Sequence, residues 1–194
     1  MKRVSLFAVV LLVPLTLPAG VINFETFADS TLLTNQLPGL TFSNATVLTA
    51  GISLNEFEAP PRSGVNVLTD EGPLSILFSS LAARFSGYFT HPGTLTLTAY
   101  DGADNVVASA GSAYANNLAL SGDPGSAPNE HIQVQYSGGF SRLIISGGGG
   151  GGTFVLDDVE ITYVPEPGTI TAGIAVGLCA LCRSWPRRRR RPSR

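Results

Sequence analysis

Cysteine is absent from this 194-residue chain until Cys179 and Cys182, which lie in an apolar stretch near the C-terminus. A domain that ends before them holds no disulfide, so its stability has to come from its core and its hydrogen bonds. Their C-x-x-C spacing has neither the βαβ context of a redox motif nor the second ligand pair of a zinc site. The sequence therefore excludes a disulfide scaffold and gives no support to thiol chemistry.

Histidine and basic residues are also scarce. The chain has only His91 and His131, and it contains no Gly-x-Ser-x-Gly or His-Glu-x-x-His motif. Between Val21 and Tyr163 there are three arginines and no lysine against thirteen acidic residues, a net charge of −10. Such a charge disfavours nucleic acid and favours cations. A zinc enzyme or serine hydrolase is not indicated, and we expect no enzyme. A glycoside hydrolase, which needs only two carboxylates, is the third hypothesis.

A helical period is missing before residue 169, and short alternating apolar segments are separated by Gly, Ser, Asn and Pro. This pattern predicts an all-β domain over residues 20–163, for which a two-sheet, jelly-roll-like β-sandwich is the expected fold. The predicted strands are Val21–Phe24, Leu40–Leu48, Val65–Leu68, Leu74–Phe78, Ala83–Phe89, Thr94–Tyr100, Val106–Ala113, Asn117–Leu120, His131–Tyr136, Arg142–Ser146 and Thr153–Tyr163.

Three connections between these strands stand out. Asp101–Asn105 predicts a hairpin turn with Asp-Gly chemistry. Residues 121–129 form a turn-rich loop suited to the rim of a sandwich. The glycine run at residues 147–152 would suit a phosphate-binding loop only if Gly-Lys-Ser/Thr and a helix followed, so a flexible hairpin connection is the favoured interpretation.

The N-terminus has the three features of an export signal. Met1-Lys2-Arg3 is positively charged, residues 4–17 are apolar, and Ala19 is a small residue suited to a cleavage site. This arrangement predicts a cleaved signal peptide over residues 1–19 and an exported protein.

The C-terminus, residues 164–194, divides into a Pro-Glu-Pro motif at 164–168, an uncharged run at 169–182 and an arginine-rich tail at 183–194. Pro165 and Pro167 keep the motif extended, because proline lacks an amide hydrogen and biases the residue before it away from helix. The uncharged run predicts a short transmembrane helix. Its orientation would be fixed by arginines that prefer the cytoplasmic side. These are Arg183, Arg187, Arg188, Arg189, Arg190 and Arg191.

This order of motif, apolar run and basic tail resembles the PEP-CTERM sorting signal of Gram-negative bacteria. The resemblance implies that Pro165, Glu166 and Pro167 are recognised by an exosortase-type membrane transpeptidase, in species that make extracellular polysaccharide. The protein would be anchored transiently in the inner membrane and would then reach the cell surface or the extracellular matrix. The alternative is that the apolar run is kept as a simple membrane anchor.

The domain between the two signals resembles the ectodomains of PEP-CTERM proteins and, more distantly, galactose-binding-like and MAM-type jelly rolls. The resemblance lies in Ile22-Asn23-Phe24-Glu25 at its start and the segment 154–161 at its end. It implies that the first and last strands lie side by side and that carboxylates from both hold a structural calcium ion. Glu25, Asp157 and Asp158 are the candidate ligands, because calcium prefers oxygen donors. The alternative is that one aspartate is exposed and the other caps a turn.

Sugar binding is the second hypothesis for the function. An aromatic ring stacks on a sugar face while polar groups bind hydroxyls, and jelly rolls often present such groups. Tyr88, Tyr100 and Tyr114 are the candidate stacking residues. Tyr136 is a further candidate, with Arg84, Asn116 and Asn117 as polar neighbours. We therefore predict a non-enzymatic surface or matrix protein, with a carbohydrate-binding module as the alternative.

Overall fold

A computed structural model describes residues 20–147 and 153–165, and this part of the chain contains six β-strands and no helix. The strands are β1 Leu40–Thr49, β2 Asn66–Thr90, β3 Thr96–Tyr100, β4 Val106–Gly111, β5 Glu130–Ser146 and β6 Val155–Tyr163. All pairs between them are antiparallel. The prediction of an all-β domain is thus confirmed.

The two predicted sorting segments fall outside these ranges. The signal peptide at 1–19, together with Glu166, Pro167, the apolar run and the arginine tail, lies outside the described residues. Within the described part of the chain, no helix has the length and apolar character needed to cross a membrane.

Strands β2 and β5 are long and take part in two groups of strands. The sheet order is β1-β2-β5-β3-β4, and β6 pairs with β2 outside this path. Residues 66–78 of β2 pair with β1, residues 74–77 also pair with the end of β5, and β5 continues this group through β3 to β4. Residues 84–90 of β2 pair with the start of β5 and with β6. We call these two groups the first layer and the second layer.

The length of β2 differs from the prediction of three separate strands at Val65–Leu68, Leu74–Phe78 and Ala83–Phe89. Gly72 and Pro73 lie within the continuous strand, although proline donates no hydrogen bond to a ladder. Near them the register between β1 and β2 shifts at Asn44, which has a φ of 58°. The Asn44 Nδ2 donates to the Pro73 carbonyl over 3.0 Å and bridges the interruption. A bulge therefore lies between the first two predicted strands, which the structure joins into one.

The predicted hairpin between β3 and β4 is confirmed, with one difference in its chemistry. The Asp101 carboxylate accepts hydrogen bonds from the N–H groups of Ala103 (2.8 Å) and Asn105 (2.9 Å). Asp104, rather than Gly102, takes the left-handed conformation, with a φ of 62°. Aspartate tolerates this region because its short side chain bonds locally.

Two predicted strands are absent from the structure. Val21–Phe24 is reduced to a single bridge, in which Ile22 and Val159 exchange two backbone hydrogen bonds of 2.9 Å. Residues 117–120 do not form a strand. Asn117 is fully buried, where its Nδ2 donates to the Phe89 carbonyl over 2.8 Å and its Oδ1 accepts from the His91 N–H over 2.6 Å. These bonds fix the segment as a loop.

The glycine run after β5 is not a hairpin connection. Among the described residues β5 and β6 do not pair with each other, since both pair with β2. Gly147 is described, whereas residues 148–152 of the run are outside the described ranges. The run therefore joins the end of β5 in the first layer to the start of β6, where Val155 and Leu156 pair with β2 at residues 68–69 and at residues 89–90.

One hydrophobic core joins the two layers. Leu74 and Ile76 of the first layer belong to the same buried cluster as Phe85 and Phe89 of the second. Leu95, Leu97 and Ala99 are buried as their alternation predicts. Pairs of aromatic rings pack within the cluster, with ring centroids 5.4 Å apart for Phe78 and Phe140 and 5.8 Å apart for Phe89 and Phe154.

Candidate functional site

The structure brings the three predicted calcium ligands to one loop, residues 62–65, which we call the covering loop. Asp157 Oδ2 accepts hydrogen bonds from the N–H groups of Arg62 (2.8 Å) and Ser63 (2.9 Å). The Ser63 hydroxyl donates to Asp158 Oδ1 over 2.7 Å. Glu25 Oε1 accepts from the N–H groups of Val65 (3.0 Å) and Asn66 (2.8 Å). The three carboxylates thus hold the loop against the second layer.

The two aspartates occupy a β-bulge in β6, so the side chains of this strand do not alternate regularly between its two faces. Ser86 pairs with Glu160, yet Tyr88 pairs with Asp157, which leaves one extra residue in β6. Asp158 has a φ of 46° at this point. The bulge leaves Asp158 half-buried, while Asp157 is buried beneath the covering loop.

Burial dominates the electrostatics of Asp157. Removal from water raises the pKa of Asp157 to about 6. The N–H groups of Ser63, Asp158 and Arg62, which donate to its carboxylate, lower the pKa but do not offset the effect of burial. The neighbouring Asp158 carboxylate raises the pKa further. Asp157 is only 1 % exposed, so its charged form depends on these few donors.

The carboxylate oxygens of Asp157 are bonded to backbone N–H groups rather than left available to a cation. Asp157 Oδ1 accepts from the Asp158 N–H over 2.7 Å, so both of its oxygens are already engaged. Within residues 20–147 and 153–165 no group of three or more His, Cys, Asp or Glu side chains has a metal-holding arrangement. Calcium binding at Glu25, Asp157 and Asp158 remains a prediction, and this geometry does not favour it.

The same use of carboxylates recurs throughout the loops. Most acidic side chains between Val21 and Tyr163 accept hydrogen bonds from backbone N–H groups. They are Glu25, Asp29, Glu58, Asp70, Asp101, Asp123, Glu130 and Asp157. The pKa of Asp29 is lowered mainly by its hydrogen bond from Ser53, and that of Asp101 mainly by its hydrogen bond from Asn105. The acidic composition therefore has a structural role in a domain without disulfides.

The three candidate tyrosines are placed apart. Tyr88, in β2, has the Arg62 guanidinium 4.6 Å from its ring centre. Tyr100, in β3, has Arg142 at 4.1 Å. The Tyr114 hydroxyl donates to the Gly125 carbonyl over 3.0 Å, which holds a loop. The structure thus makes no joint site of the three tyrosines, and of their predicted polar neighbours Asn117 is buried and structural.

Neither histidine lies in a hydrolytic arrangement. His91 is fully buried, with its Nε2 3.2 Å from Glu130 Oε2. Its Nδ1 is buried without a partner among the described residues. His131 is exposed, and its ring centre lies 5.1 Å from that of Tyr88. One imidazole is therefore out of reach of a substrate, and the other lies on an open sheet face.

The sequence pattern alone did not identify the residues around His131 as a group. The strand pairing places Tyr88 beside His131, Ser86 beside Gln133, and Arg84 beside Gln135. On the other side of β2, Ser86 pairs with Glu160 and Arg84 pairs with Thr162. Polar residues alternate with buried ones along β2 and β5, and this alternation is the signal that places them on one face. Their partners across the sheet depend on the bulges and cannot be inferred from alternation.

Gly64→Ala is expected to loosen the covering loop and to lower the free energy of unfolding by about 2–3 kcal/mol. Gly64 has a φ of +55°, and a Cβ atom there would overlap the Glu25 carboxylate. Gly51→Ala is a matched control, since Gly51 has a φ of +77° and open space around its Cβ position. This substitution should lower the free energy of unfolding by only about 1 kcal/mol, because it strains the backbone conformation without a steric overlap. Equal melting temperatures for the two full-length variants would contradict the role given to Glu25.

Comparisons with known proteins add little to this geometry. No protein-family model matches the chain, and no curated protein matches it significantly. Among solved structures, the chain is similar to the crystal structure of the K2 cleaved adhesin domain of Lys-gingipain. The two share 13% sequence identity with a TM-score of 0.47, over 74% of this chain and 98% of that chain.

Proposed function

We propose that this chain is an exported, non-enzymatic β-sandwich protein that a C-terminal Pro-Glu-Pro signal routes to the cell surface or extracellular matrix. The route passes through the inner membrane of a Gram-negative bacterium, where an exosortase-type transpeptidase processes the motif. The jelly-roll-like form of the sandwich belongs to this proposal. It is supported by the two layers that share β2 and β5 and by the pairing of Ile22 with Val159 near the two ends of the domain.

The observation that carries the proposal is the position at which the folded domain ends. Strand β6 ends at Tyr163, and the Val164 N–H donates to the Leu81 carbonyl over 2.8 Å. The next residue, Pro165, has no N–H group and is exposed. Pro165, the first residue of the Pro-Glu-Pro motif, therefore directly follows the backbone hydrogen bond that ties Val164 to the domain, which favours access by a processing enzyme.

The non-enzymatic part of the proposal is supported by the engagement of the reactive groups. His91 is buried, and the carboxylates of Asp157 and Asp158 hold the covering loop. Most of the other acidic side chains hold loops in the same way. A domain with this use of its polar groups is suited to present a surface rather than to catalyse a reaction.

The intact mass of the protein extracted from the surface of its native host tests the sorting proposal. We expect a mass that ends near Pro165–Pro167, with or without an added group, and a start near residue 20. Glu166→Ala should shift the recovered protein to the unprocessed mass, because the motif would lose its charged centre. Glu56→Ala, which removes an acidic residue from a distant loop, should leave the processing unchanged.

One result would contradict the sorting proposal. If the mature protein keeps the apolar run and all the arginines, the C-terminus is a simple membrane anchor. Arginines accessible to protease from outside intact cells would overturn the orientation as well.

A further inference from the structure

The outward side of the second layer is a continuous polar surface, which we call the outer face. It is formed by alternate residues of three paired strands, and its members are Arg84, Ser86, Tyr88, His131, Gln133, Gln135, Glu160 and Thr162. Every one of these side chains can donate or accept a hydrogen bond, and none is aliphatic. On the outer face, three adjacent strands therefore carry only side chains with hydrogen-bonding groups.

The first layer shows that such a surface is not imposed by the fold. One row across its five strands consists of Ser43, Ser75, Ile144, Thr98 and Ser109, which are small hydroxyl residues and one aliphatic residue. Leu77, in the adjoining row, is 48% exposed. The outer face instead carries planar amides, a guanidinium, an imidazole and a phenol, so the two sides of the same domain differ in chemistry.

Arg84 lies at the centre of the outer face, beside a covered serine. Ser86 is only 2% exposed, and it is paired with Gln133 on one side and Glu160 on the other. Arg84 reaches Glu160 with its guanidinium over 3.4 Å, and both side chains are partly exposed. The guanidinium N–H groups that do not contact Glu160 can donate to a ligand hydroxyl.

An aromatic group lies at one end of the outer face. Tyr88 lies between the Arg62 guanidinium and the His131 ring, which restrict its position. From His131 to Gln135 the face extends about 13 Å along the strand, at roughly 3.3 Å per residue. This length accommodates more than one sugar ring of an extended chain.

The chemistry and charge of the outer face select the kind of ligand. The face has no aliphatic side chain and so offers a partner protein little apolar contact, whereas a polyhydroxylated chain matches its amides and hydroxyls. Arg84 within the face and Arg62 beside it offset Glu160 and Asp158, in a domain whose net charge is −10. We infer that the outer face binds a polysaccharide chain, with Gln133, Gln135 and Arg84 bonded to its hydroxyls and Tyr88 packed against a ring.

Titration calorimetry of the detergent-solubilised full chain tests this inference. The probes are hexamers of β-1,4-glucose, xylose, N-acetylglucosamine and mannuronate, which span neutral and acidic glycans. We expect saturable binding of at least one hexamer. Gln133→Ala should weaken that binding about tenfold, since it removes side-chain hydrogen bonds to the ligand. Tyr88→Ala should weaken it at least tenfold.

Matched variants separate binding from folding. Tyr100→Ala removes another strand tyrosine covered by an arginine, and Ser109→Ala removes a polar side chain from the first layer. Both should keep the affinity of the unsubstituted chain. Failure of all four hexamers to bind, or equal losses from Tyr100→Ala and Tyr88→Ala, would overturn the inference. Binding does not require processing at Pro165–Pro167, so its failure is distinguishable from failure of the sorting proposal.

Discussion

Asp70→Ala is expected to lower the free energy of unfolding by about 3–5 kcal/mol, because it leaves two backbone N–H groups without their acceptor. Asp70 is 2% exposed and belongs to β2. Its Oδ1 accepts from the N–H groups of Thr153 (2.6 Å) and Phe154 (3.1 Å), and its Oδ2 accepts from the Thr153 hydroxyl over 2.8 Å. These bonds fix the chain where it enters β6 after the glycine run.

Asp70→Asn is the matched control for this prediction. The amide oxygen keeps the two N–H bonds, and the amide nitrogen donates to the Thr153 hydroxyl with the direction of that bond reversed. The cost of this change should be less than about 1.5 kcal/mol. Denaturant unfolding of the full chain in detergent, followed by far-ultraviolet circular dichroism, measures both values. Equal stabilities of the alanine and asparagine variants would show that Asp70 does not hold the start of β6.

The second large effect concerns pH. A pKa of Asp157 near 6 in the folded state, against 3.8 for the ordinary group, means that the folded protein binds this proton more tightly than the unfolded chain. The stability from Asp157 is therefore fully present below about pH 4 and is lost as the pH rises through about 6. A shift of this size corresponds to about 3 kcal/mol. Asp29 and Asp101, whose pKa values are lowered, act in the opposite direction and lose their contribution as the pH falls below about 4.

These opposing effects place the maximum stability of the domain between about pH 4 and 5. Melting temperatures of the full chain in detergent, measured from pH 3 to 8, should rise and then fall across this range. Asp157→Asn should remove the fall between pH 4 and 7, because its amide does not titrate. An unchanged fall in the asparagine variant would show that another group causes it.

Local sequence patterns predicted the parts of the fold that depend on neighbouring residues. The alternation of Leu95, Leu97 and Ala99 and the turn at Asp101–Asn105 are both found in the structure. The continuity of β2 was not predictable in this way. It depends on the Asn44 side chain bonding to Pro73, a contact between residues 29 positions apart in the sequence. The loop at Asn117, where a strand was predicted, has the same cause, since the Asn117 side chain bonds to the backbone of residues 89 and 91.

In the candidate site, too, some features could be predicted from the sequence and others depend on residues that are distant along the chain. Composition identified an acidic domain, the resemblance to jelly-roll domains pointed to Glu25, Asp157 and Asp158, and all three contact the covering loop. The sequence did not reveal that their hydrogen-bond partners are backbone N–H groups. Every residue except proline has such a group, so the sequence does not show which ones will face a carboxylate. The outer face was missed because the pairing of β2 with β5 and β6 depends on bulges whose offsets have no simple sequence pattern.

The position of β6 determines how the domain would respond to mechanical force. A pull on the chain beyond Pro165 acts along β6, which is bonded side by side to β2 and also bridged to Ile22. The far end of the strand is held by Asp70 through Thr153 and Phe154, and by Asp157 through the covering loop. Several hydrogen bonds therefore share the load in shear, rather than separating one after another. A surface protein tethered at this end would resist extension without any covalent cross-link.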